Sequence, residues 1–282
     1  MPRQSRLFEA LGFLFNPVLS FKMLLEHRGL VSQLVIREIS TQFKGSFLGF
    51  AWVFARPLLM LCVYTFVFGV IWPRDAEGVP LGAFAMHMFC GMALYQAFAT
   101  SVNLSCSSVV SRRGFVKQVV FPLETLPFVQ VASQFILFVA WLVILLVGVL
   151  FVYGKLPLTC LLLPVVLVPL FLISNGVAWF VASLNVYVRD LKQFVPVVLQ
   201  MLYFVTPIFW GLDMLKGDKQ WIIPYLYWNP FTGIVEMARD LVIRGVMLDW
   251  SLWGILTAVS FVVWQLGFVW FHKTKKGFAD VI

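Results

Sequence analysis

The stretch FVQVASQFILFVAWLVILLVGVLFV, residues 128–152, decides the fold class of this chain. It runs for 25 residues without a charged side chain. A helix of roughly 20 apolar residues is long enough to cross the hydrocarbon core of a bilayer. The composition of the whole chain agrees, since 61% of its 282 residues are hydrophobic and only 12% are charged. The sequence therefore predicts an integral membrane protein.

Similar apolar runs lie on both sides of this stretch and predict an all-α protein with six transmembrane helices. They occupy residues 48–72, 83–108, 156–184, 193–212 and 250–271. We expect a single domain over residues 1–282. Its parts are a cytoplasmic N-terminal segment at 1–47, a six-helix membrane domain at 48–271 and a cytoplasmic tail at 272–282.

The distribution of basic residues predicts the orientation. Fourteen of the 21 lysines and arginines lie on the side of the termini, and six lie on the opposite side. Because basic segments of membrane proteins remain in the cytoplasm, we expect both termini to be cytoplasmic. This topology, with contact to anionic membrane lipid, is sufficient to explain the net charge of +8 without a nucleic-acid partner. A basic docking face for another protein is the alternative.

The six runs contain Arg56 and His87 but no aspartate or glutamate. Ion-coupled transporters keep ionisable groups at the bilayer midplane, so energy for uphill transport should come from outside these helices. The chain also lacks the G-x-x-x-x-G-K-[ST] phosphate loop of an ATPase. Its three histidines are scattered, and we expect neither a metal site nor a catalytic residue. The cysteines are interpreted as small core residues: Cys62, Cys90, Cys106 and Cys160.

An amphipathic helix on the cytoplasmic interface is predicted before the first run. Val31, Val35, Ile39 and Phe43 recur every four residues. Polar residues fall outside this stripe: Gln33, Arg37, Ser40 and Lys44. We expect the helix to break at Gly45, where the chain turns into the membrane.

A second cytoplasmic segment joins the second and third runs. Arg112, Arg113 and Lys117 precede Phe-Pro-Leu-Glu at 121–124. This pattern favours a short helix lying across the membrane face. A basic loop that merely follows the topology rule is an equal alternative.

A re-entrant helical hairpin is predicted on the outer side, within residues 213–249. Asn229 and Pro230 are typical of an N-cap and first turn, and Gly245 of a helix stop. Two oppositely charged pairs have helical spacing: Glu236 with Arg239, and Asp240 with Arg244. An apolar stripe accompanies them: Ile234, Ala238 and Leu241.

The same outer segment is rich in aromatic residues: Trp221, Tyr225, Tyr227, Trp228 and Phe231. Together with the helix signals, these residues favour a hairpin that dips into the outer leaflet. An interfacial aromatic anchor is the alternative, since many membrane proteins have one.

Aromatic residues also line up within the runs. On an ideal helix, one arc of about 100° in the first run holds Phe47, Phe50, Phe54, Tyr64, Phe68 and Trp72. An arc of the fifth run combines rings with hydrogen-bonding groups: Gln200, Tyr203, Thr206 and Trp210. Such surfaces suit a path for sugars, whose C–H faces pack on rings while hydroxyls exchange partners. Ordinary packed helix faces are the alternative.

Arg56 and Pro57 interrupt the first run in its cytoplasmic half. Arg56 lies off the aromatic arc, and a membrane arginine must face a partner, water or phosphate. Snorkelling to the interface, bracing a subunit contact and contact with a lipid phosphate all remain open.

Several stretches of the chain resemble permease subunits of the type-2 ABC polysaccharide exporters, which include O-antigen, teichoic-acid and capsular polysaccharide exporters. The most specific is FKGSFLGFAW at 43–52, continued by RPL at 56–58 and YTFVFG at 64–69. Four shorter matches follow: FPLE at 121–124, RD at 189–190, WNP at 228–230 and KGFAD at 276–280. The resemblance covers nearly the whole chain.

The resemblance implies a homodimer that joins two copies of a separate ATP-binding subunit, which holds ATP and magnesium. First and fifth spans line the path and the outer hairpin gates its exit, with gate candidates Trp221, Tyr225, Trp228, Asn229 and Pro230. The two cytoplasmic segments are similar to interface and coupling helices, with candidates Arg37, Arg113, Lys117, Phe121, Pro122 and Glu124. Arg56 departs from the family, which often has asparagine or another residue there.

We therefore expect a permease, not an enzyme, that exports undecaprenyl-diphosphate-linked polysaccharide such as O-antigen across the bacterial inner membrane. A diphosphate headgroup needs cations near the inner interface, and the candidates by location are Lys44, Arg56 and Arg112. Export of small amphiphiles, drugs or lipids is one alternative, which amphiphile-stimulated ATPase activity would reveal. A membrane-bound glycan-modifying enzyme is another, and it would work without an ATPase.

Overall fold

A computed structural model of the protein describes residues 18–71, 80–116, 121–212 and 221–281, and all regular elements in these ranges are helical. The longer α-helices are α1 Val18–Glu26, α2 Arg28–Phe43, α3 Trp52–Phe66, α4 Leu81–Cys106, α5 Thr125–Tyr153, α6 Leu163–Tyr187, α7 Leu191–Val205, α8 Pro230–Arg239 and α9 Trp250–Thr274. The all-α expectation is confirmed.

Five helical segments are long and apolar enough to cross a membrane. They are Gly49–Ile71, Leu81–Cys106, Thr125–Tyr153, Leu158–Tyr187 and Trp250–Val281. The first combines a 3-10 turn, α3 and a final π-helical turn, and the fourth starts with a 3-10 turn. These segments make the chain a membrane protein by length and composition.

The fifth predicted span differs from the structure. Instead of filling residues 193–212, helix α7 ends at Val205, after 15 residues. At 1.5 Å per residue it is about 22 Å long, which is shorter than the hydrocarbon core of a bilayer. Proline disfavours the helical conformation of the residue before it. Thr206 precedes Pro207 and is extended (φ −76°, ψ 136°), so the helix stops there.

The amphipathic helix predicted before the first span is α2. Val35 is buried and Val31, Ile39 and Phe43 are half-buried, whereas the polar set between them is exposed. Gly45 follows the helix with φ 80°, a left-handed conformation that favours glycine. Both the stripe and the break are confirmed.

Helix α4 is the centre of the bundle. It contacts α5 and α6 along its length and also packs on α7 and α8. Cys90 and Cys106 are buried in this helix, as expected of small core residues. Cys62 is exposed, so that expectation is wrong for the first span, most of which is exposed within the described residues.

The tightest helix pair is α6 with α9, which cross through glycines. A Cβ atom added to Gly267 would lie 2.0 Å from the Gly176 carbonyl oxygen. One added to Gly176 would lie 2.4 Å from the Val263 carbonyl oxygen. The two backbones are therefore in direct contact, as in other membrane helix pairs that associate through small residues.

We predict that Gly267→Ala destabilises the protein by roughly 1–3 kcal/mol, because the methyl group must push α6 and α9 apart. Gly254→Ala is the matched control in the same helix, since no atom lies within 4 Å of its added Cβ. It should be neutral or slightly stabilising. Unfolding midpoints in detergent measure both variants, and equal midpoints would contradict the close contact.

Candidate translocation path and coupling face

Two adjoining cavities lie between α3, α4, α5 and α7. One has a volume of about 260 Å³ and the other about 360 Å³. Four residues line both cavities: Arg56, Gln96, Thr100 and Trp141. The Gln96 side chain donates to the Thr100 hydroxyl at 3.0 Å, which orders two polar groups of this shared wall.

The larger cavity brings together residues that the sequence placed on separate spans. Tyr64 of α3 faces Gln200 and Tyr203 of α7 across it, and Asn103 of α4 adds another amide. The hydroxyl of Tyr95 donates to the Leu199 carbonyl and ties α7 to α4. Among the described residues no carboxylate lines either cavity, so these walls offer neutral hydrogen-bonding groups, aromatic rings and one cation.

Phe209, which sequence patterns did not single out, closes an aromatic cluster at the outer end of this region. Its ring centroid is 4.7 Å from that of Phe68, 5.4 Å from Tyr64 and 5.1 Å from Tyr203. Phe209 lies beyond the end of α7, where helical periodicity no longer applies. Only the folded chain shows that it bridges the first and fifth predicted spans.

The remaining predicted path residues lie elsewhere. Phe47, Phe50 and Phe54 are exposed and line neither cavity. Thr206 is fully buried, and Trp210 is half-buried. Trp72 and Lys117 are outside the described residues. The structure thus joins two of the six residues of the predicted first-span arc, Tyr64 and Phe68, to the fifth predicted span.

The predicted start of the outer helix is confirmed as α8. The Asn229 side chain accepts a hydrogen bond from the Phe231 amide at 3.1 Å, and Pro230 occupies the first turn. The Asn229 amide also donates to the Thr206 hydroxyl at 2.9 Å. This cap therefore links α8 to the end of α7. Gly245 ends the π-helical continuation of α8 with φ 69°.

Arg239 makes the second link, and its side chain is fully buried. Its guanidinium donates to the carbonyls of Pro207 and Ile208, each at 2.8 Å, and to that of His87 at 3.2 Å. It also pairs with Glu236 at 2.7 Å, as the spacing predicted. One cation thereby joins α8 to α4 and to the turn after α7.

The second predicted pair is also present, since Arg244 lies 2.7 Å from Asp240. Arg244 contacts the other oxygen of Glu236 at 3.1 Å. The stripe residues Ile234, Ala238 and Leu241 are all fully buried. Among the predicted gate aromatics, Trp221, Tyr225 and Trp228 are exposed. Their exposure fits both a gate and an interfacial anchor.

On the side of the bundle that holds α2, Arg112 pairs with Glu38. This pair joins the basic segment to the interface helix, so Arg112 would have to share or leave Glu38 to bind a phosphate. Arg37, Lys44 and Arg113 are exposed. The basic segment is helical where described, with a 3-10 turn at Val110–Arg112 and a short helix at Arg113–Val116.

Glu124 forms a buried junction with the C-terminal tail, and its side chain is only 1% exposed. Its carboxylate meets His272 at 2.7 Å and accepts a hydrogen bond from Lys275, while its carbonyl accepts one from Trp179 at 2.9 Å. Burial raises the pKa of Glu124, but the hydrogen bonds from His272 and Lys275 and the Lys275 charge together lower it to about 2.

Phe121 and Pro122 flank this junction and are half-buried. The Phe121 ring stacks on Phe115 with centroids 4.5 Å apart, and the Pro122 carbonyl accepts a hydrogen bond from Thr125 at 2.7 Å. Phe278 of the tail is fully buried in the same apolar cluster. The 121–124 knuckle and the C-terminal tail therefore form one packed unit.

We predict that Arg239→Gln destabilises the protein by roughly 3 kcal/mol or more, because Glu236 and three backbone carbonyls lose a buried cationic donor. The comparison variant is Arg244→Gln, whose side chain is 32% exposed. Arg244→Gln should lower the free energy of unfolding by less than about 1 kcal/mol. Denaturation in detergent measures both, and a loss for Arg239→Gln no larger than for Arg244→Gln would contradict this role.

For Glu124, a folded-state pKa below the ordinary value means that its contribution to stability is full above about pH 4.5. The contribution is lost as the pH falls toward 2. We predict that Glu124→Gln lowers the thermal unfolding midpoint at pH 7. In this variant the midpoint should also decrease less than that of the wild type between about pH 4.5 and 3. Asp280→Asn, an exposed carboxylate in the tail, should keep the wild-type slope. If the midpoint of Glu124→Gln depended on pH as strongly as that of the wild type, the role of Glu124 in this junction would be contradicted.

Comparison with known proteins identifies the family. The sequence model of the ABC-2 type transporter family matches residues 29–243. The chain is 30% identical to an O-antigen export system permease protein from Myxococcus xanthus, over 92% of this chain and 97% of the relative. A permease of the same description from Klebsiella pneumoniae is 27% identical, covering 87% and 92% of the two chains.

A polysialic acid transport protein from Escherichia coli is more distant, with 24% identity over 87% of this chain and 93% of the relative. All three relatives are similar to this chain over nearly their whole length, and the family model covers most of it. The chain is thus a member of the ABC-2 type transporter membrane family.

Proposed function

We propose that this chain is the membrane-spanning permease subunit of an ATP-driven exporter that moves undecaprenyl-diphosphate-linked polysaccharide, such as O-antigen, out of the cytoplasm. The observation that carries the proposal is the similarity, over 92% of this chain, to a relative described as an O-antigen export permease. A permease is also the kind of protein expected from spans that lack carboxylates and a chain that lacks a phosphate loop.

The topology that we propose has six crossings in the bacterial inner membrane and both termini in the cytoplasm. Helix α7 and the chain that follows it to residue 212 make up the fifth crossing, shortened by the break at Pro207. Residues 221–245 form the re-entrant hairpin on the outer side. The buried stripe of α8 and its links to α4 and α7 support a hairpin set into the bundle.

The cavities support a glycan path. Their amide and phenol groups can exchange hydrogen bonds with hydroxyls, and the rings of Tyr64, Tyr203 and Trp141 offer apolar faces for sugar C–H groups. Walls without carboxylates do not repel a negatively charged headgroup. The cluster around Phe209 lies at the outer end of this path, and we assign it to the exit gate with the outer hairpin.

A complete transporter on this proposal is a homodimer with two ATP-binding subunits that hold ATP and magnesium. The exposed apolar faces of α3 and α7, including Phe54, Phe66, Phe194 and Phe204, are surfaces for the second copy or for lipid. The coupling face is formed by α2 and by residues 110–116 and 121–124. The Arg112–Glu38 pair and the Glu124 junction would transmit a displacement of this face by the ATP-binding subunit to the tail and to α6.

The test is export by the reconstituted complex. Proteoliposomes containing this permease, its cognate ATPase and the lipid-linked glycan should show ATP-dependent appearance of glycan on the opposite side of the membrane. An ATPase variant lacking its phosphate-loop lysine is the matched control and should abolish export.

Two outcomes of the same test would overturn the proposal. ATPase stimulation and transport of a small amphiphile without glycan movement would assign the chain to amphiphile export. Chemical change of the glycan by the permease alone would assign it to glycan modification.

A further inference from the structure

Helix α1, Val18–Glu26, is an element that the proposed function does not use. It lies before residue 29, where the match to the family model begins. Its contacts join it to the last span, α9. Ser20 is fully buried, and its hydroxyl accepts a hydrogen bond from the Trp264 indole at 3.0 Å. The Phe21 ring stacks on the same indole, with centroids 5.3 Å apart and an interplanar angle of 14°.

One face of α1 packs on the protein. At about 100° per residue, Ser20, Met23 and Leu24 lie on the same side of the helix. Met23 and Leu24 pack against the apolar cluster that contains Trp179 and Trp264. This face is therefore held by apolar packing and by a buried hydrogen bond.

The rest of α1 has an apolar face and a charged face. Phe21 and Leu25 lie together and are 42% and 66% exposed. Lys22 and Glu26 lie beside them on the side turned away from the protein, with side chains 66% and 58% exposed and 3.9 Å between the charged atoms. Apolar and charged faces at an angle to each other are typical of a helix at the boundary between lipid and water.

The position of Trp264 along α9 shows how far α1 extends into the membrane. Helix α9 has 25 residues, Trp250–Thr274. At roughly 1.5 Å per residue it is about 37 Å long, so at most about 7 Å of it extends beyond a hydrocarbon core of about 30 Å. Trp264 is about 15 Å from the Thr274 end, and therefore at least about 8 Å inside the core. Ser20 and Phe21 contact its indole there.

The surroundings at that depth favour lipid over water. Single exposed apolar residues are common on soluble proteins and need no partner. Phe21 and Leu25 differ because their helix contacts a span inside the hydrocarbon core. That span has exposed apolar side chains at helical spacing, as a lipid-facing stripe does: Ile255, Val259, Val262 and Leu266. The exposed face of α1 thus adds to a surface that already faces lipid.

We propose that α1 is embedded in the bilayer leaflet at the Thr274 end of α9, with Phe21 and Leu25 against lipid acyl chains. Lys22 and Glu26 are then directed to the headgroups, since a long lysine side chain extends from an apolar surface to water. The depth agrees with that of interfacial helices, whose apolar faces are buried by roughly 5–10 Å.

The embedded helix also positions α2. Helix α1 ends at Glu26 and α2 begins at Arg28, so His27 alone separates them. Nδ1 of His27 lies 2.9 Å from the Met23 carbonyl oxygen, which joins the connection to α1. The start of α2 is thereby held beside α9 and the lipid. This role does not depend on what the transporter carries.

The experiment is photo-crosslinking from the exposed apolar face. Leu25→p-benzoylphenylalanine is prepared in the full-length permease in dioleoylphosphatidylcholine nanodiscs and irradiated, and intact masses are measured. We expect an adduct of one phosphatidylcholine, which fragmentation places on an acyl chain. The same substitution at Leu266 is the lipid-facing control and should give a similar yield. At Arg37, on the exposed polar side of α2, the yield should be at least about fivefold lower.

Each other outcome would overturn the proposal. A yield at Leu25 no higher than at Arg37 would place this face in water. A covalent dimer would assign the face to a second copy, and an adduct on the choline headgroup alone would place α1 outside the acyl chains. A crosslink within the chain would show that protein covers the face.

A second measurement uses charge in place of a probe. Leu25→Glu puts a carboxylate among acyl chains, so α1 should leave the leaflet. Trypsin should then cleave after Lys22 at least about fivefold faster than in the wild type. Leu25→Met is the matched control and should be cleaved at the wild-type rate. Thermal midpoints check that both variants are folded, and an unchanged cleavage rate in Leu25→Glu would refute the embedding.

Discussion

The half of the bundle that holds α8 depends on the hydrogen bonds that Arg239 donates to the carbonyls of Pro207 and Ile208. Proline ends α7 at this point and leaves backbone groups without helical partners. In a membrane protein such groups must be paired inside the protein, because lipid offers none. A fully buried guanidinium with several directed donors meets this need, and Glu236 balances its charge. The break in α7, the position of α8 and the turn that carries Phe209 therefore depend on one another.

The opposite half, which holds the C-terminal tail, is organised by a similar interaction in which the buried charge is negative. There the buried group is the carboxylate of Glu124, and its cationic partners come from the end of α9 and the tail. Between these two networks lies the cavity region, where Arg56 is the one charged residue in the part of the lining that the structure describes. Buried ionic interactions thus stabilise the two ends of the bundle. Between them, the described walls of the cavities are neutral apart from Arg56.

Sequence patterns predicted the features that depend on neighbours along a helix. The α2 stripe, the Asn229 cap, the Glu236–Arg239 pair and the Gly245 stop all involve residues within a few positions of one another, where helix geometry alone sets the distance. Contacts between distant segments were not predictable. Nothing in the spacing of residues pairs Arg112 with Glu38 or Glu124 with Lys275. The end of α7 at Val205 was not predicted either, because hydropathy does not register a proline break.

By itself the sequence determined that this is a helical membrane protein without carboxylates in its spans, because hydropathy and charge act residue by residue against the bilayer. It also contained enough similarity to place the chain in the ABC-2 type transporter family. Only the tertiary structure decided which side chains share a wall. Arg56, Gln96, Thr100 and Trp141 come from three helices, and their meeting depends on how those helices pack and rotate. No one-dimensional pattern encodes that rotation, since each helix presents several faces that are apolar enough to be buried.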